Sequence, residues 1–196
     1  MAQLQVPGFS QARMLAGLKP RADITHTRRN MPKLSHYSAR GEVSMVDVSA
    51  KAVTTRTAVA HAFVRMSPKV VRAVRGLKNP KGNPLEIARI AGIAAAKRTA
   101  EWIPLCHPIP LTHIDVTPRL CKDGVELESR ATATAQTGVE MEALVAAACA
   151  ALTVYDMCKA LDKGIEIEHV HLLEKTGGKS GDYVRAGMRK GRRGRK

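Results

Sequence analysis

A cysteine and a histidine lie side by side in "WIPLCHPIPL", residues 102–111, with prolines before and after them. Cys106 and His107 could act as a nucleophilic pair, as metal ligands, or as part of a stiff loop that presents one side chain. Adjacent residues of an extended loop point to opposite sides, so the two would not share a proton readily. The spacing of Cys106, His107 and His113 also does not match the spacing of zinc ligands in known motifs. Because the prolines restrict the backbone to extended forms, we favour a loop that holds His107 as a hydrogen-bond donor.

Charged residues fall on the apolar sides of two predicted helices. Lys159 lies five turns from Met141, in the middle of an apolar stripe, with Asp156 about 60° to its side. In an earlier helix Lys97 lies about 20° from Ile90, again on an apolar side. A charge directed at a packed face is costly unless it is paired or bound to a ligand. Two interpretations stay open: an ordinary i,i+3 pair with a lysine that reaches solvent, or several lysines that line a pocket for an anion.

Glu142 lies on the same predicted helix as Asp156, 14 residues before it. At 1.5 Å per residue this is roughly 21 Å along the axis, so the two acids cannot serve one small reacting group from a single helix. If both belong to a site, that site is long or is completed by a second subunit. An exposed first-turn carboxylate, favoured by the helix dipole, is the alternative for Glu142. Glu140 is assigned to a capping box with Thr137 and is given no functional role.

Two further motifs are weaker indications of a binding site. "KTGGKSGDY", residues 175–183, is not a phosphate loop of the Walker type, because Leu173 stands where that pattern needs glycine. Lys175 and Lys179 with the paired glycines could still bring charge and N–H groups to phosphates, while a C-terminal loop without a ligand is the alternative. His169 and His171 share one face of a predicted strand, but no third ligand is suggested nearby. No metal site is predicted.

Three helices are predicted to carry these residues. The first spans 67–76, with Ser67 as a capping hydroxyl and proline at its first position. The second spans 83–103, where Asn83 caps the start and a following proline stops the helix. The third is the long alanine-rich helix over 137–164, which begins at the capping box and ends at a glycine. "KNPKGNPLE", between the first two helices, is predicted to be a loop.

Alternation of apolar and polar residues predicts four strands, over residues 53–66, 112–120, 125–135 and 165–173. The middle two form a hairpin around Lys122-Asp123-Gly124. The resulting order is strand, helix, strand, strand, helix, strand. This is the ferredoxin-like, split βαβ pattern. The predicted fold class is therefore α+β, with an antiparallel sheet and helices packed on one face.

Composition limits the class of protein. The chain has 196 residues and is 44% hydrophobic, which is enough for one sizeable domain. No run approaches the roughly 18–20 apolar residues of a membrane span, and the start lacks the apolar core of a secretory signal. The cysteines show neither disulfide-like nor zinc-like spacing, so we interpret them as reduced thiols in a cytoplasmic protein.

The net charge of +15 comes mostly from the two ends. Residues 1–33 carry +5 and residues 185–196 carry +7, which leaves +3 for residues 34–184. We expect a flexible basic leader, one domain and a basic tail with these limits, and a transit peptide to an organellar matrix is the alternative for the leader. The tail could bind polyanions weakly, and a basic nucleic-acid-binding module is the second hypothesis for the whole chain. Aromatic residues are only 3% of the chain, which argues against a stacking platform for single strands.

Six segments in order resemble the signatures of the MoaC family, the cyclic pyranopterin monophosphate synthases of molybdenum cofactor biosynthesis. The resemblance covers about residues 34–184, and its motifs are MVDVSAK (45–51), ARIAGIAAAKRT (88–99), IPLCHP (103–108), TGVEMEAL (137–144), ALTVYDMCKA (151–160) and KTGGKSGD (175–182). It implies a ferredoxin-like enzyme, a lyase that converts 3′,8-cyclised dihydro-GTP into cyclic pyranopterin monophosphate and pyrophosphate. It also implies a homohexamer, a trimer of dimers, with active sites at subunit interfaces. No tightly bound cofactor is expected, although Mg²⁺ could accompany the pyrophosphate.

The same resemblance assigns roles to residues of this chain. Asp156 matches the catalytic acid/base, with Lys159 beside it, and Lys81 matches a lysine near the reacting sugar and phosphates. The substrate contacts it implies are Leu105, Cys106, His107, Met141, Glu142, Lys51, Lys97, Lys175 and Lys179. A neighbouring lysine would keep Asp156 ionised, and lysines would stabilise the leaving pyrophosphate oxygens. We expect His107 to donate a hydrogen bond to the nucleotide and Cys106 to be a packed side chain.

Overall fold

The computed structural model describes residues 41–77 and 81–187. The predicted leader over 1–33 and nearly all of the predicted basic tail lie outside the described residues, as do residues 78–80 of the predicted loop. The described elements, in chain order, are β1 (Thr54–Arg65), α1 (Pro68–Arg75), α2 (Pro84–Ala96), α3 (Thr99–Trp102), β2 (His113–Leu120), β3 (Gly124–Ala135), α4 (Glu140–Cys158), β4 (Glu166–Thr176) and β5 (Tyr183–Val184).

The strands form one five-stranded sheet in the order β2-β3-β1-β4-β5, in which every neighbouring pair is antiparallel. The helices α2 and α4 pack on each other and against this sheet. The predicted α+β, ferredoxin-like fold is confirmed. Beyond the predicted elements, the described chain adds the four-residue helix α3 and the two-residue edge strand β5.

The central strand β1 positions the core by simple alternation. Ala58, Ala60, Ala62 and Val64 are fully buried, as the period-two pattern predicted. Across the pair with β3, Ala58 lies opposite Ala131, which is also fully buried. Small side chains on this face let α4 pack close to the sheet. The helix therefore lies against β1 and β3.

The face that α4 turns to the core differs from the predicted one. The predicted stripe was expected to be packed, but of its members only Val145 is buried and Leu152 is 56% exposed. The partly buried members are Met141, Leu144, Ala148 and Tyr155. The fully buried residues of α4 are Ala143, Ala146, Ala147, Ala150, Ala151, Val154 and Cys158. The prediction was wrong because large apolar residues outweighed alanines in the pattern, whereas the close approach to the sheet admits only small residues. The larger side chains therefore form a partly exposed line along α4.

Gly92 lies where α2 packs tightly against α4. A Cβ at this position would lie 2.7 Å from the carbonyl oxygen of Ala146 and 2.9 Å from Cγ2 of Val116. Real Cβ atoms do not tolerate such distances, and the first of these neighbours is backbone. Glycine is therefore required by the crossing itself, which sets the spacing between the helix that follows Lys81 and the helix that carries Asp156.

Replacing Gly92 by Val should destabilise the fold by about 2 kcal/mol or more, because added methyl groups overpack the crossing. Equilibrium unfolding in urea would measure the change in free energy. Ala94→Val is the matched control, since Ala94 is exposed on the same helix and loses only helix propensity, about 0.6 kcal/mol. Equal losses in the two variants would contradict the role of Gly92 as a spacer.

Helix caps follow the sequence signals only in part. Asn83 caps α2 as predicted, and its side chain accepts hydrogen bonds from the backbone of Leu85 and Glu86. Ser67 makes no capping bond to α1. Its hydroxyl and the backbone N–H of Gly164 instead lower the pKa of Asp162, with the contribution of Gly164 the larger. A residue distant in sequence thus competed with the local cap.

The predicted helix limits also change in two places. The helix expected over 83–103 breaks at Lys97 and Arg98, where the buried hydroxyl of Thr99 donates to the carbonyl of Ala96. The long helix begins at Glu140 without a side-chain cap, so the capping box is wrong, and it ends at Cys158, six residues earlier than predicted.

The last strand, expected over 165–173, runs from Glu166 to Thr176. It contains a β-bulge next to His169, which has a positive φ of 57°.

Helix α4 has the length and hydropathy of a membrane span. Its apolar window is 56% buried inside the fold, and the core helix of a folded protein passes the same test of length and composition. The burial of its alanine face against the sheet accounts for this composition, so the helix gives only weak support for a membrane location.

Candidate active site

Three predicted residues meet at the carboxyl end of α4. Lys81 precedes α2, and its Nζ donates to the carboxylate of Asp156 at 3.1 Å and to the backbone carbonyl of the same residue at 3.0 Å. Lys159 follows α4, and its Nζ lies 2.7 Å from the other carboxylate oxygen of Asp156. The three residues form what we call the lysine–aspartate cluster. The Asn83 cap brings Lys81 to the start of α2 and therefore to this cluster.

Electrostatics fix the charge state of the cluster. Hydrogen bonds first from Lys159 and then from Lys81 lower the pKa of Asp156 below its usual range. The same pairing raises the pKa of Lys159. Asp156 is therefore a carboxylate at neutral pH and can accept a proton or orient a cation. The predicted i,i+3 pair is present, and Lys81 adds a second cation to it.

The prediction that these charges point at a packed face is wrong. The side chains of Asp156 and Lys159 are 53% and 50% exposed. Lys97 and the neighbouring Ile90 are likewise exposed. The apolar sides identified in the sequence are thus surfaces of this chain rather than its core, and the charged residues on them are accessible.

The amino end of α4 faces a second group of predicted residues. The loop between α3 and β2, residues 103–112, is called the proline loop below. A cavity of about 280 Å³, which we call the histidine cavity, lies between α4, this loop and the segment before β1. The predicted residues that line it are Lys51, Leu105, Cys106, His107, Met141 and Glu142. The Gln136 side chain holds the segment before β1 by donating to the carbonyl of Ser49. Motifs far apart in sequence therefore surround one cavity.

A larger cavity of about 880 Å³, the glycine-loop cavity, adjoins the histidine cavity and shares Lys51 and Glu140 with it. Lys175 and Lys179 line it with Gly177 and Gly178, which have positive φ values of 87° and 90°. Lys175 bonds to Ser180 at 3.0 Å and to Glu140 at 3.0 Å. Cationic side chains on a loop of this backbone geometry suit a ligand with several anionic oxygens.

Sequence reasoning missed two residues of this cavity. Arg56 lines it, contacts Gly178, and has a buried Nε without a hydrogen-bond partner among the described residues. Its signal was an arginine near the start of β1, two positions before Ala58 and therefore on the face of the strand that is otherwise core. Glu140 was assigned to the capping box, but it pairs with Lys175 and lines both cavities. Without the capping box, Glu140 is an acidic residue among lysines, and such a group is typical of a ligand-binding site.

Glu142 is the most deeply buried acid of the described chain, with 3% of its surface exposed. It lines the histidine cavity and also a third cavity of about 320 Å³ beside the break between α2 and α3. Its Oε2 is buried and has no hydrogen-bond partner within the described residues. Burial raises its pKa to about 7, and the charge of Glu140 adds to this effect. The alternative of an exposed first-turn acid is therefore wrong.

The proline loop presents Cys106 and His107 to the histidine cavity. Burial, followed by the charge of Glu142, raises the pKa of the Cys106 thiol, so the thiolate that a nucleophile needs is disfavoured. His107 contributes to a lowered pKa of Asp47, after the larger effect of hydrogen bonds from Ser49. These surroundings are consistent with His107 as a hydrogen-bond donor and with Cys106 as a packed side chain.

The structure does not bring every predicted lysine to the same place. Lys97 lines the third cavity with Glu142 and the proline loop, but neither the histidine cavity nor the glycine-loop cavity. His171 lies 5.1 Å from His61 between ring centroids, while His169 lies beside Glu168. In the part of the chain that the structure describes, no three His, Cys, Asp or Glu side chains are arranged to hold a metal ion.

The two parts of the candidate site lie at opposite ends of α4. Glu142 is in the first turn and Asp156 is in the last, roughly 21 Å apart along the helix axis. The partly exposed line of Leu144, Ala148 and Leu152 runs between them. One chain therefore carries two separate groups of predicted residues, one with a carboxylate between two lysines and one with cavities lined by cations.

This combination defines a ferredoxin-like α+β protein with a lysine-rich candidate site, whose cations suit an anionic ligand. The MoaC family model matches residues 45–178. The chain is similar to the cyclic pyranopterin monophosphate synthases of Nostoc sp. (strain PCC 7120 / SAG 25.82 / UTEX 2576) and Shouchella clausii (strain KSM-K16). It is 51% identical to the first over 157 residues, which cover 79% of this chain and 94% of the relative. It is 52% identical to the second over 157 residues, which cover 78% of this chain and 95% of the relative.

The chain belongs to the MoaC family, and the family prediction is confirmed. The prediction of an enzyme of molybdenum cofactor biosynthesis is confirmed with it. The alternative hypothesis, a basic nucleic-acid-binding module, gains no support from these comparisons.

Proposed function

We propose that the chain is a lyase that converts 3′,8-cyclised dihydro-GTP into cyclic pyranopterin monophosphate and pyrophosphate. The observation that carries the proposal is the meeting of three separate motifs around the histidine cavity, next to the lysines of the glycine-loop cavity. A ring system and a triphosphate are the two parts of such a substrate. The two adjoining cavities, one small and one rich in cations, match these parts in chemical character.

The cyclic phosphate forms when a ribose-derived hydroxyl oxygen attacks the α-phosphorus. The bond from this phosphorus to the bridging oxygen of the pyrophosphate breaks, and the pair of electrons leaves on that oxygen. Lys51, Lys175 and Lys179 supply positive charge for the leaving oxygens, with Arg56 as a further cation. We expect no resident metal ion, and any Mg²⁺ would arrive on the pyrophosphate part of the substrate.

The rearrangement of the ribose-derived part needs proton transfers, which the lysine–aspartate cluster can supply. Asp156 is ionised between two ammonium groups, so it can take a proton as a base while Lys81 or Lys159 gives one as an acid. The carboxylate fixes both lysines by hydrogen bonds shorter than about 3.2 Å, which is the geometry that proton transfer requires.

The active site is completed between two chains. One chain holds its cluster roughly 21 Å from its own cavities, so the cluster of one chain would face the cavities of another. Ile87, Ile90 and Leu152 are 44%, 55% and 56% exposed on α2 and α4, which is typical of a surface that associates. We propose a homohexamer, a trimer of dimers, that works in the cytoplasm.

The test of this function is turnover of the cyclised dihydro-GTP by the full chain, with pyrophosphate and the cyclic phosphate product followed separately. Equal amounts of both products would support the proposal. Deleting residues 185–196 should leave turnover intact, whereas a nucleic-acid-binding module would lose its function and its salt dependence. Absence of both products from the intact chain would overturn the assignment.

Within this function, Cys106 and His107 should behave very differently. Cys106→Ala is expected to change kcat/KM by less than about twofold, because the protonated thiol only packs in the cavity. His107→Ala is expected to lower kcat/KM by roughly tenfold or more, because one hydrogen bond to the bound nucleotide is lost. Steady-state kinetics of the two variants makes the comparison. A larger loss of kcat/KM in Cys106→Ala would mean that the thiol takes part in the reaction.

A further inference from the structure

The turn that carries Lys51 is exposed but has a defined shape. The backbone N–H of Lys51 donates to the carbonyl of Val48 at 2.9 Å, which closes a four-residue turn over 48–51. Inside this turn, the N–H of Ser49 donates to the carboxylate of Asp47 at 2.9 Å. Both bonds are local to the segment, so they shape the turn without fixing it to the fold.

The carbonyl of Ser49 joins the turn to the sheet. The side-chain Nε2 of Gln136 donates to this oxygen at 3.2 Å, across 87 positions of the chain. Gln136 directly follows β3, whose last residue, Ala135, lies opposite Thr54 of β1 in the ladder. The amide therefore extends from the end of a paired strand, and it fixes a turn that the local bonds leave free to move.

The backbone of Gln136 supports a second cation of the same cavity. Its carbonyl accepts a hydrogen bond from a terminal nitrogen of Arg56 at 3.5 Å, and Arg56 contacts the loop at Gly178. Gln136, Lys51 and Arg56 all line the glycine-loop cavity. One uncharged residue thus contacts both the turn that carries Lys51 and the guanidinium group on the neighbouring strand.

We propose that Gln136 is a positioning residue, whose side-chain amide holds Lys51 in place for anionic oxygens in the glycine-loop cavity. The inference rests on the proposed function, which supplies a pyrophosphate group of this kind. A lysine on a free turn would lose backbone as well as side-chain freedom on binding, and fixing the turn beforehand reduces this cost. Because the amide is uncharged and bonds to Ser49, its effect on binding should depend on the presence of Lys51.

Pyrophosphate binding to the full chain, measured by calorimetric titration, tests the proposal without turnover. Gln136→Leu keeps a side chain of similar size that cannot donate, and it should weaken binding by about threefold to tenfold, the effect of one hydrogen bond. In a chain that already carries Lys51→Ala, the same substitution should change the affinity by less than about twofold. Gln136→Lys returns a donor of similar length and should recover most of the loss where Lys51 is present.

Hydrogen exchange gives a second readout that needs no ligand. The N–H of Lys51 should exchange about threefold to tenfold faster in Gln136→Leu, because the turn opens more often, whereas exchange within β1 should not change. Thr117→Val is the matched control, since Thr117 is an exposed polar residue of β2 and lines none of the three cavities. It should alter neither the exchange of Lys51 nor the binding of pyrophosphate.

Three results would overturn the inference: no binding of pyrophosphate to the wild-type chain, losses from Gln136→Leu and Lys51→Ala that simply add, or unchanged exchange at Lys51. Faster exchange throughout β1 would also overturn it, because Gln136 would then support the fold in general. Turnover of the cyclised substrate without coupling between Gln136 and Lys51 would contradict this inference alone. Coupling in pyrophosphate binding without turnover would contradict the proposed function alone.

Discussion

Asp156→Asn should lower kcat by about 10³-fold and leave the fold intact. The amide keeps the shape of the side chain but cannot take a proton, and general acid–base catalysis typically contributes about 10²–10⁴-fold. It also removes the negative charge that holds two ammonium groups, at 3.1 Å and 2.7 Å, in position. Because the side chain is half exposed, the substitution leaves no buried charge behind and should have little effect on stability.

The measurement is single-turnover formation of pyrophosphate by wild-type and variant chains at saturating substrate. Asp123→Asn is a suitable control, since Asp123 pairs with Arg65 at 2.9 Å in the hairpin turn and lies outside the lysine–aspartate cluster. The control should keep the wild-type rate. A rate for Asp156→Asn within tenfold of the wild-type rate would contradict the assignment of Asp156 as the catalytic acid/base.

The effect on pH dependence separates the two ends of α4. The pKa of Asp156 is lowered, so its charge persists through the neutral range and is lost only in acid. The pKa of Glu142 is raised to about 7, so its charge changes where the enzyme works. A fall in activity between pH 8 and pH 6 would therefore arise from Glu142 in the histidine cavity rather than from the cluster, and Glu142→Gln should abolish that part of the profile.

Local signals predicted the sheet well. The alternation in β1 and β3 gave both the strands and their buried faces, because one face of each strand packs under the helices and the period of two leaves no ambiguity. The hairpin turn at Asp123-Gly124 fixed the register between β2 and β3. These features depend on residues close in sequence, so the sequence contains enough information to place them.

Helix faces and caps were harder to predict, since they depend on distant partners. Ser67 interacts with Asp162 rather than capping α1, and Glu140 pairs with Lys175 rather than closing a capping box. Alanine is too weakly apolar to mark a core face by itself, so the larger residues of α4 gave the wrong side. Arg56 was missed because its role depends on the loop at Gly178, which is 122 positions away in the chain.

Two inactive variants should regain activity when they are mixed. One is Asp156→Asn, which damages the lysine–aspartate cluster, and the other is the double variant Lys51→Ala/Lys175→Ala, which removes two cations from the glycine-loop cavity. If each site takes its cluster from one chain and its cavities from another, random assembly leaves about a quarter of the sites intact. Activity should rise from roughly a thousandth to about a quarter of the wild-type value after subunit exchange.

The control mixes Asp156→Asn with Lys81→Ala, two variants that damage the same cluster. Every site then contains one damaged cluster, so no recovery is expected although the chains exchange equally well. Native mass spectrometry with isotope-labelled chains verifies that mixed assemblies form in both cases. Mixed assemblies without recovery in the first mixture would mean that the two ends of α4 do not belong to one site, and the roughly 21 Å between Glu142 and Asp156 would then separate two independent functions.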